Sequence, residues 1–145
     1  MTEHKGSFIN LMDTIIKDEF SSTQWEMYQI EGVELIDKLF QGESVIESAD
    51  IAAGEKNYAF SAEIQEIVKY GPDFLSLIVS SFTLFLNYSK FISENKKSES
   101  ESRLKKLELL KKLKDDMVSQ NMSQELIHKI DNKYIIEMMK LMDEL

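Results

Sequence analysis

The chain has 145 residues, of which 43% are hydrophobic, and carries a formal net charge of −9 from 17 Lys/Arg and 26 Asp/Glu residues. This length fits one domain, or a small domain with a helical appendage, and the apolar content is enough to fill a core, which excludes wholesale disorder. The absence of cysteine excludes disulfides, thiolate metal sites and cysteine nucleophiles.

Two amphipathic helices are predicted before residue 43. The first covers residues 7–20, SFINLMDTIIKDEF, in which apolar residues recur at spacings of three and four. The second covers residues 23–42, opened by a capping box of Thr23 and Glu26 and ended by Gly42 as the C-cap glycine. The two predicted apolar stripes are Phe8, Leu11, Met12, Ile15, Ile16 and Phe20, and Trp25, Tyr28, Leu35, Ile36, Leu39 and Phe40.

Residues 44–64, SVIESADIAAGEKNYAFSAEI, allow two interpretations. Ser44 and Glu47 form a second capping box, which favours a short helix ending at Gly54. Apolar residues also alternate with polar ones on both sides of AAGEK, so a β-hairpin is the alternative. The following SAEIQEIVKY predicts a helix that ends at Gly71.

A long apolar helix is predicted from Pro72 to about Ser93, because proline suits the first turn of a helix and Asp73 favours the positive end of its dipole. The thirteen residues from Phe74 to Leu86 carry no charge. They span about 20 Å of helix against about 30 Å of hydrocarbon in a bilayer. Because the helix is apolar on every side, we expect it to be the central helix of a bundle. An oligomerisation or partner-binding surface and a membrane-inserted segment over 71–92 are the alternatives.

The polar segment 95–102 predicts a charged connector to a C-terminal helical hairpin over 103–145. The expected domains are therefore a helical core domain (1–94), the connector and the hairpin. The fold class is mainly α, with α+β as the alternative if 44–64 forms a hairpin. The predicted stripes of the C-terminal hairpin are Leu107, Leu110, Leu113 and Met117, and Ile127, Ile130, Tyr134, Met138, Leu141 and Leu145.

Methionine is concentrated near the C-terminus, where five of the eight methionines occupy the last 29 residues. Methionine is flexible and polarizable, and it is common on surfaces that repack around a partner. The last predicted helix also has a wider apolar stripe than one neighbouring helix needs. These features predict a partner-binding face, with filling of the hairpin interior as the alternative. The predicted partner-binding residues are Tyr134, Ile135, Met138, Met139 and Met142.

No catalytic, metal or cofactor motif is present in the sequence. The Glu125-x-x-His128 spacing matches one half of a di-iron site, but no second histidine is placed to complete that site. The sequence has no Gly-x-Ser-x-Gly elbow and no glycine-rich phosphate loop. We therefore predict that the chain is not an enzyme and binds no metal or cofactor.

The basic residues of 103–114 are the one candidate contact for nucleic acid or a membrane surface. Acidic residues interrupt them and no aromatic residues are interleaved for base stacking. A solvated helix face with pairs such as Glu108–Lys112 is the better interpretation. The sequence therefore predicts no nucleic-acid partner.

The composition favours a small acidic protein that acts through protein–protein interaction, as a regulator, adaptor or inhibitor. Sixteen of the 17 basic residues are lysine, which is typical of AT-rich coding sequence and favours a bacterial or phage origin. The N-terminal residues include early acids and no unbroken apolar run, so a cytoplasmic location is expected rather than secretion. Self-association is an alternative to a foreign partner. A membrane-associated effector or anchor that uses 71–92 is the alternative function.

Overall fold

The computed structural model of the chain describes residues 4–41, 46–50, 56–60, 66–67, 69–94, 98–119, 124–130 and 132–145. A helical bundle surrounds one central apolar helix, which confirms the predicted mainly α fold. The helices are α1 (Lys5–Glu19), α2 (Ser22–Met27), α3 (Val33–Gln41), α4 (Asp73–Glu94), α5 (Glu99–Ser119), α6 (Gln124–Lys129) and α7 (Asn132–Asp143). The strands are β1 (Ile46–Asp50) and β2 (Lys56–Phe60).

The predicted apolar stripes of α1 and α3 form one side of the core. Every residue predicted for the first stripe is buried, as is every residue of the second except the half-buried Trp25. The start of α2 differs from the prediction: Ser21 is the N-cap, and its Oγ accepts a hydrogen bond from the Gln24 amide at 3.2 Å. Thr23 therefore lies inside the helix. The predicted C-cap, Gly42, lies outside the described residues.

A π-helical turn, Tyr28–Gly32, joins α2 to α3. Tyr28 is fully buried, stacks on Trp25 with ring centroids 5.5 Å apart, and donates a hydrogen bond to Asp13 Oδ1 at 2.7 Å. A Cβ atom on Gly32 would lie 2.3 Å from Tyr28 Cδ2, so the glycine leaves the space that this ring occupies. The turn also leaves Ile30 directed to solvent, with 73% of its surface exposed.

Residues 46–60 contain an antiparallel β-hairpin rather than the favoured short helix. Strand β1 pairs with β2 in a register that sets Ile46 opposite Phe60 and Asp50 opposite Lys56. The alternation of apolar and polar residues therefore predicted this segment correctly, and the capping box at Ser44 and Glu47 did not. After the hairpin, helical residues precede Gly71, whose amide donates to the Ile67 carbonyl at 2.8 Å.

Helix α4 is the predicted central helix and differs from its predicted bounds by one residue at each end. It has 12 buried residues out of 22, and these lie on all sides of the helix. Phe82 packs edge-on against Phe8 of α1 and Phe40 of α3, with ring centroids 6.0 Å and 5.1 Å apart. Helices from both halves of the chain therefore cover α4.

The C-terminal third forms α5, α6 and α7 instead of a two-helix hairpin. The single helix predicted from residue 123 onward is divided, because α6 ends at Lys129 and α7 begins at Asn132. Four residues of the predicted connector, 99–102, belong to α5, and Ser98 caps that helix by accepting from the Glu101 amide at 3.2 Å. Buried residues of α5, α6 and α7 belong to the same core cluster as those of α1, α3 and α4. The division into domains at residues 94 and 103 stays a prediction.

Candidate interaction surfaces

The predicted partner-binding residues of α7 lie in or against the core. Tyr134 and Met138 are fully buried and Met142 is 1% exposed, while Ile135 and Met139 are half-buried against the same cluster. The wide apolar stripe is covered because α7 packs against α1, α4 and α5 together, rather than against one neighbour. These five residues therefore form no exposed face in this structure. Partner binding by them stays a prediction that requires α7 to leave the bundle.

Polar contacts join α7 to α4, α1 and α5. The Tyr134 hydroxyl and Ser81 Oγ of α4 are 2.6 Å apart, and both residues are fully buried. Burial raises the pKa of Tyr134 well above its usual value, although the hydrogen bond with Ser81 acts in the opposite direction. Lys133 at the start of α7 pairs with Asp18 of α1. At the other end of α7, Asp143 pairs with Lys106 of α5.

An exposed apolar pair lies on α5. Leu104 and Leu107 expose 67% and 50% of their surfaces, whereas Leu109, Leu110 and Leu113 on the opposite side of the helix are buried. The prediction that Leu107 belongs to the buried stripe is therefore wrong, because Leu109 takes the core-facing position. Met117, also predicted for that stripe, has its side chain outside the described part. We define the α5 outer face as Arg103, Leu104, Leu107, Lys111 and Lys114.

The α5 outer face is basic. Residues 103–115 include six Lys/Arg and two Asp/Glu. Lys105 lies over the Phe91 ring of α4, 5.4 Å from its centroid, and pairs with Glu108 at 3.6 Å. The predicted Glu108–Lys112 pair is therefore replaced by a pair at a spacing of three. Lys111, Lys112 and Lys114 form no ion pair with any residue that the structure describes, so their charges face solvent.

A second surface lies where α3 meets the beginning of α4. A groove of about 270 Å³ opens there. Ile30 is the chain neighbour of Glu31 in the lining, and Tyr70 follows Ile67 of the lining by three positions. Their side chains are 73% and 76% exposed. We use the name acidic groove for this groove together with Ile30 and Tyr70. The groove lining is Glu31, Glu34, Leu35, Lys38, Ile67 and Leu75.

The acidic groove is named for the charge of its helical wall. Residues 22–41 contain four Asp/Glu and one lysine. Glu34 lies 3.9 Å from Lys38, and Asp37 pairs with Lys5 of α1. Glu31 forms no ion pair within the described ranges, so its carboxylate remains available to an incoming cation.

The two surfaces lie near opposite ends of α4. Leu75, in the first turn of α4, lines the acidic groove. Tyr88 and Phe91, in its last turns, lie under Lys106 and Lys105 of α5, 5.6 Å and 5.4 Å from the respective ring centroids. Sixteen residues of helix between Leu75 and Phe91 correspond to about 24 Å. The acidic groove and these α5 contacts therefore lie toward different ends of α4.

Catalytic and metal-binding groupings are the remaining candidates. Among the residues that the structure describes, no three His, Asp or Glu side chains lie close enough together to hold a metal ion. His128 is exposed, as is Glu125, in agreement with a solvated histidine. The structure therefore assigns neither of these residues to a site.

Helix α4 is the one described helix with the length and composition of a membrane span. Its most apolar window has a mean hydropathy of 1.3, and 56% of that window is buried inside the protein. The central helix of a soluble bundle meets the same test of length and composition. Comparison of the chain with protein-family models, with curated proteins and with solved structures finds no match.

Proposed function

We propose that this chain acts without catalysis, as a small acidic bacterial or phage protein of the cytoplasm that binds another protein as a regulator, adaptor or inhibitor. The supporting observation is the α5 outer face. Leu104 and Leu107 are 67% and 50% exposed, whereas three other leucines of α5 are buried in the core. Lys111 and Lys114 adjoin them without an ion pair in the described part of the chain, and Arg103 pairs with Glu99 at 3.7 Å. Exposed leucines do not stabilise a monomer, whereas a complex in which a partner covers them is stabilised by removing their apolar surface from water.

The α5 outer face favours a partner whose own surface is acidic with an apolar centre. The lysines would speed encounter with such a partner and fix its orientation, and the leucines would supply the apolar contact. Base-stacking aromatic residues are lacking on this face, which supports a protein partner over nucleic acid.

Site-specific photo-crosslinking in cells tests this proposal. A photo-reactive amino acid placed at Leu107 should yield a covalent product with a different protein. The same amino acid at Ile136, which is 53% exposed on α7, provides a matched control at an apolar surface position outside the α5 outer face. Products of twice the 16.8 kDa chain mass are counted separately, because they contain only this chain. Equal products at both positions, or no foreign product at Leu107, would contradict the proposal.

A membrane-associated effector or anchor is the second candidate, and the length and composition of α4 favour it. Insertion of α4 into lipid would require the bundle to open, since 12 of its 22 residues are buried. Flotation of the purified protein with phospholipid vesicles tests this candidate. Protein that stays soluble and monodisperse without detergent, and that remains at the bottom of the gradient, would eliminate it.

A further inference from the structure

We propose that copies of this chain associate head to tail, with the α5 outer face of one copy seated in the acidic groove of the next. Opposite charge supports this pairing. The α5 outer face has three basic residues and no acidic one, of which Arg103 pairs with Glu99 at 3.7 Å, while the groove lining has two acidic residues and one lysine. Complementary charges orient two surfaces on encounter and disfavour the reversed arrangement.

Apolar surface at both sites supports the same pairing. Leu104 and Leu107 are exposed apolar residues of α5, and Ile30 and Tyr70 are exposed apolar residues close in sequence to the groove lining. Seating one pair against the other would remove four large, well-exposed side chains from water. Glu31 lies next to Ile30 along the chain and would meet the lysines that flank the leucines.

The positions of the two surfaces determine the type of assembly. The α5 outer face and the acidic groove share no residue, so the contact uses different patches on the two copies. Such a heterologous contact closes into a ring or continues as an open chain of copies. A symmetric pairing of two α5 outer faces would instead bring their unpaired lysines together, which repulsion disfavours.

The contact is small, and we expect it to be weak and to tighten at low ionic strength. The surface that two leucines and their neighbours can bury is smaller than the roughly 1,000 Å² that stable interfaces bury. Charge attraction between exposed groups is screened beyond about 8 Å at physiological salt. Association is therefore to be measured at low salt and up to about 1 mM protein, where a contact with a Kd of about 1 mM is already populated.

Sedimentation equilibrium of the purified protein, with two surface variants, tests the proposal. One variant carries Leu104→Gln and Leu107→Gln, and the other carries Ile30→Gln and Glu31→Gln. The wild-type mass should rise above 16.8 kDa with concentration. Each variant alone should lose at least about tenfold in association constant. An equimolar mixture of the two should form dimers and nothing larger, since one intact α5 outer face meets one intact groove.

Ile136→Gln is the control, since Ile136 is an exposed apolar residue outside both surfaces, and it should associate like the wild type. All substituted positions are exposed, and circular dichroism of each variant verifies that it is folded. The proposal is overturned by a wild type that stays monomeric throughout, by variants that associate normally, or by a mixture that forms no dimer. Because only the purified chain is used, a monomeric result leaves the foreign-partner proposal and its crosslinking test unaffected.

Discussion

Gly32→Ala should destabilise the protein, although the same change in most helices stabilises it. An alanine in a helix interior is ordinarily favoured over glycine by about 0.5–1 kcal/mol, because glycine loses more backbone freedom on folding. At Gly32 the new Cβ would lie 2.3 Å from Tyr28 Cδ2. The Tyr28 ring cannot yield cheaply, because it is fully buried and its hydroxyl is bonded to Asp13.

The size of the effect follows from these two opposing contributions. Forcing an extra methyl group into a packed site costs about 1–3 kcal/mol. Subtracting the gain in helix propensity leaves a net loss of about 0–2.5 kcal/mol in the free energy of unfolding, with about 1 kcal/mol near the centre of that range. Removing the ring with Tyr28→Ala should restore the ordinary sign, so that Gly32→Ala stabilises in that background.

Urea denaturation followed by far-UV circular dichroism measures this loss. Gly6→Ala is the matched control, because Gly6 is also helical and its added Cβ meets nothing within 4 Å. It should stabilise the protein by up to about 1 kcal/mol. Trp25 fluorescence gives a second readout, since Trp25 stacks on the ring that the new methyl group displaces. If Gly32→Ala and Gly6→Ala change stability in the same direction, the steric argument is wrong.

Two further predictions concern the buried tyrosines. Ser81→Ala and Tyr134→Phe should each lower the free energy of unfolding by about 1–3 kcal/mol, because each leaves the partner's hydroxyl buried and unpaired. The double variant should lose less than the sum of the two single losses. Additive losses in urea unfolding would contradict this coupling. Burial raises the folded-state pKa values of Tyr28 and Tyr134 above the usual 10.0. The stability that this provides should be fully present below pH 10 and lost as pH rises above it, because the unfolded tyrosines then release protons that the folded ones retain. Absorbance titration at 295 nm should show Tyr28 and Tyr134 ionising only on unfolding, and tyrosinate formation by either residue in the folded protein, assigned with the Tyr28→Phe and Tyr134→Phe variants, would refute it.

Helical periodicity was sufficient to predict α1 and the buried face of α3, whereas α4 was predicted from its unbroken apolar run and its Pro72–Asp73 start. Spacings of three and four select one face of a straight helix, and each of these faces has a partner in the bundle. Periodicity did not predict the π-helical turn at Tyr28–Gly32, which interrupts the single helix expected over 23–42, although Leu35, Ile36, Leu39 and Phe40 after the turn are buried as predicted. It also failed at the break between α6 and α7, where neither glycine nor proline marks the end of a helix.

The candidate surfaces were harder to predict because they depend on which neighbours each helix has. The stripe of α7 is wide enough to suggest a free face, yet three helices cover it. On α5 the leucines at 104, 107, 109, 110 and 113 cannot all share one side of a helix. That excess is a sequence signal for an exposed leucine. Which leucine faces solvent is decided by the packing of α5 on α4.

The position of α7 against α1 has a consequence for synthesis of the chain. From Glu19 at the end of α1 to Asp143 at the end of α7 the chain adds 124 residues, so a ribosome that adds roughly 5–20 residues per second completes α7 about 6–25 s after α1. During that interval the side of α1 and α4 that α7 later covers stays open to water or to chaperones. Tyr134, Met138 and Met142 thus join the core later than the buried residues of α1 and α4. A stop codon before residue 132 would release a protein with a permanently open, aggregation-prone core.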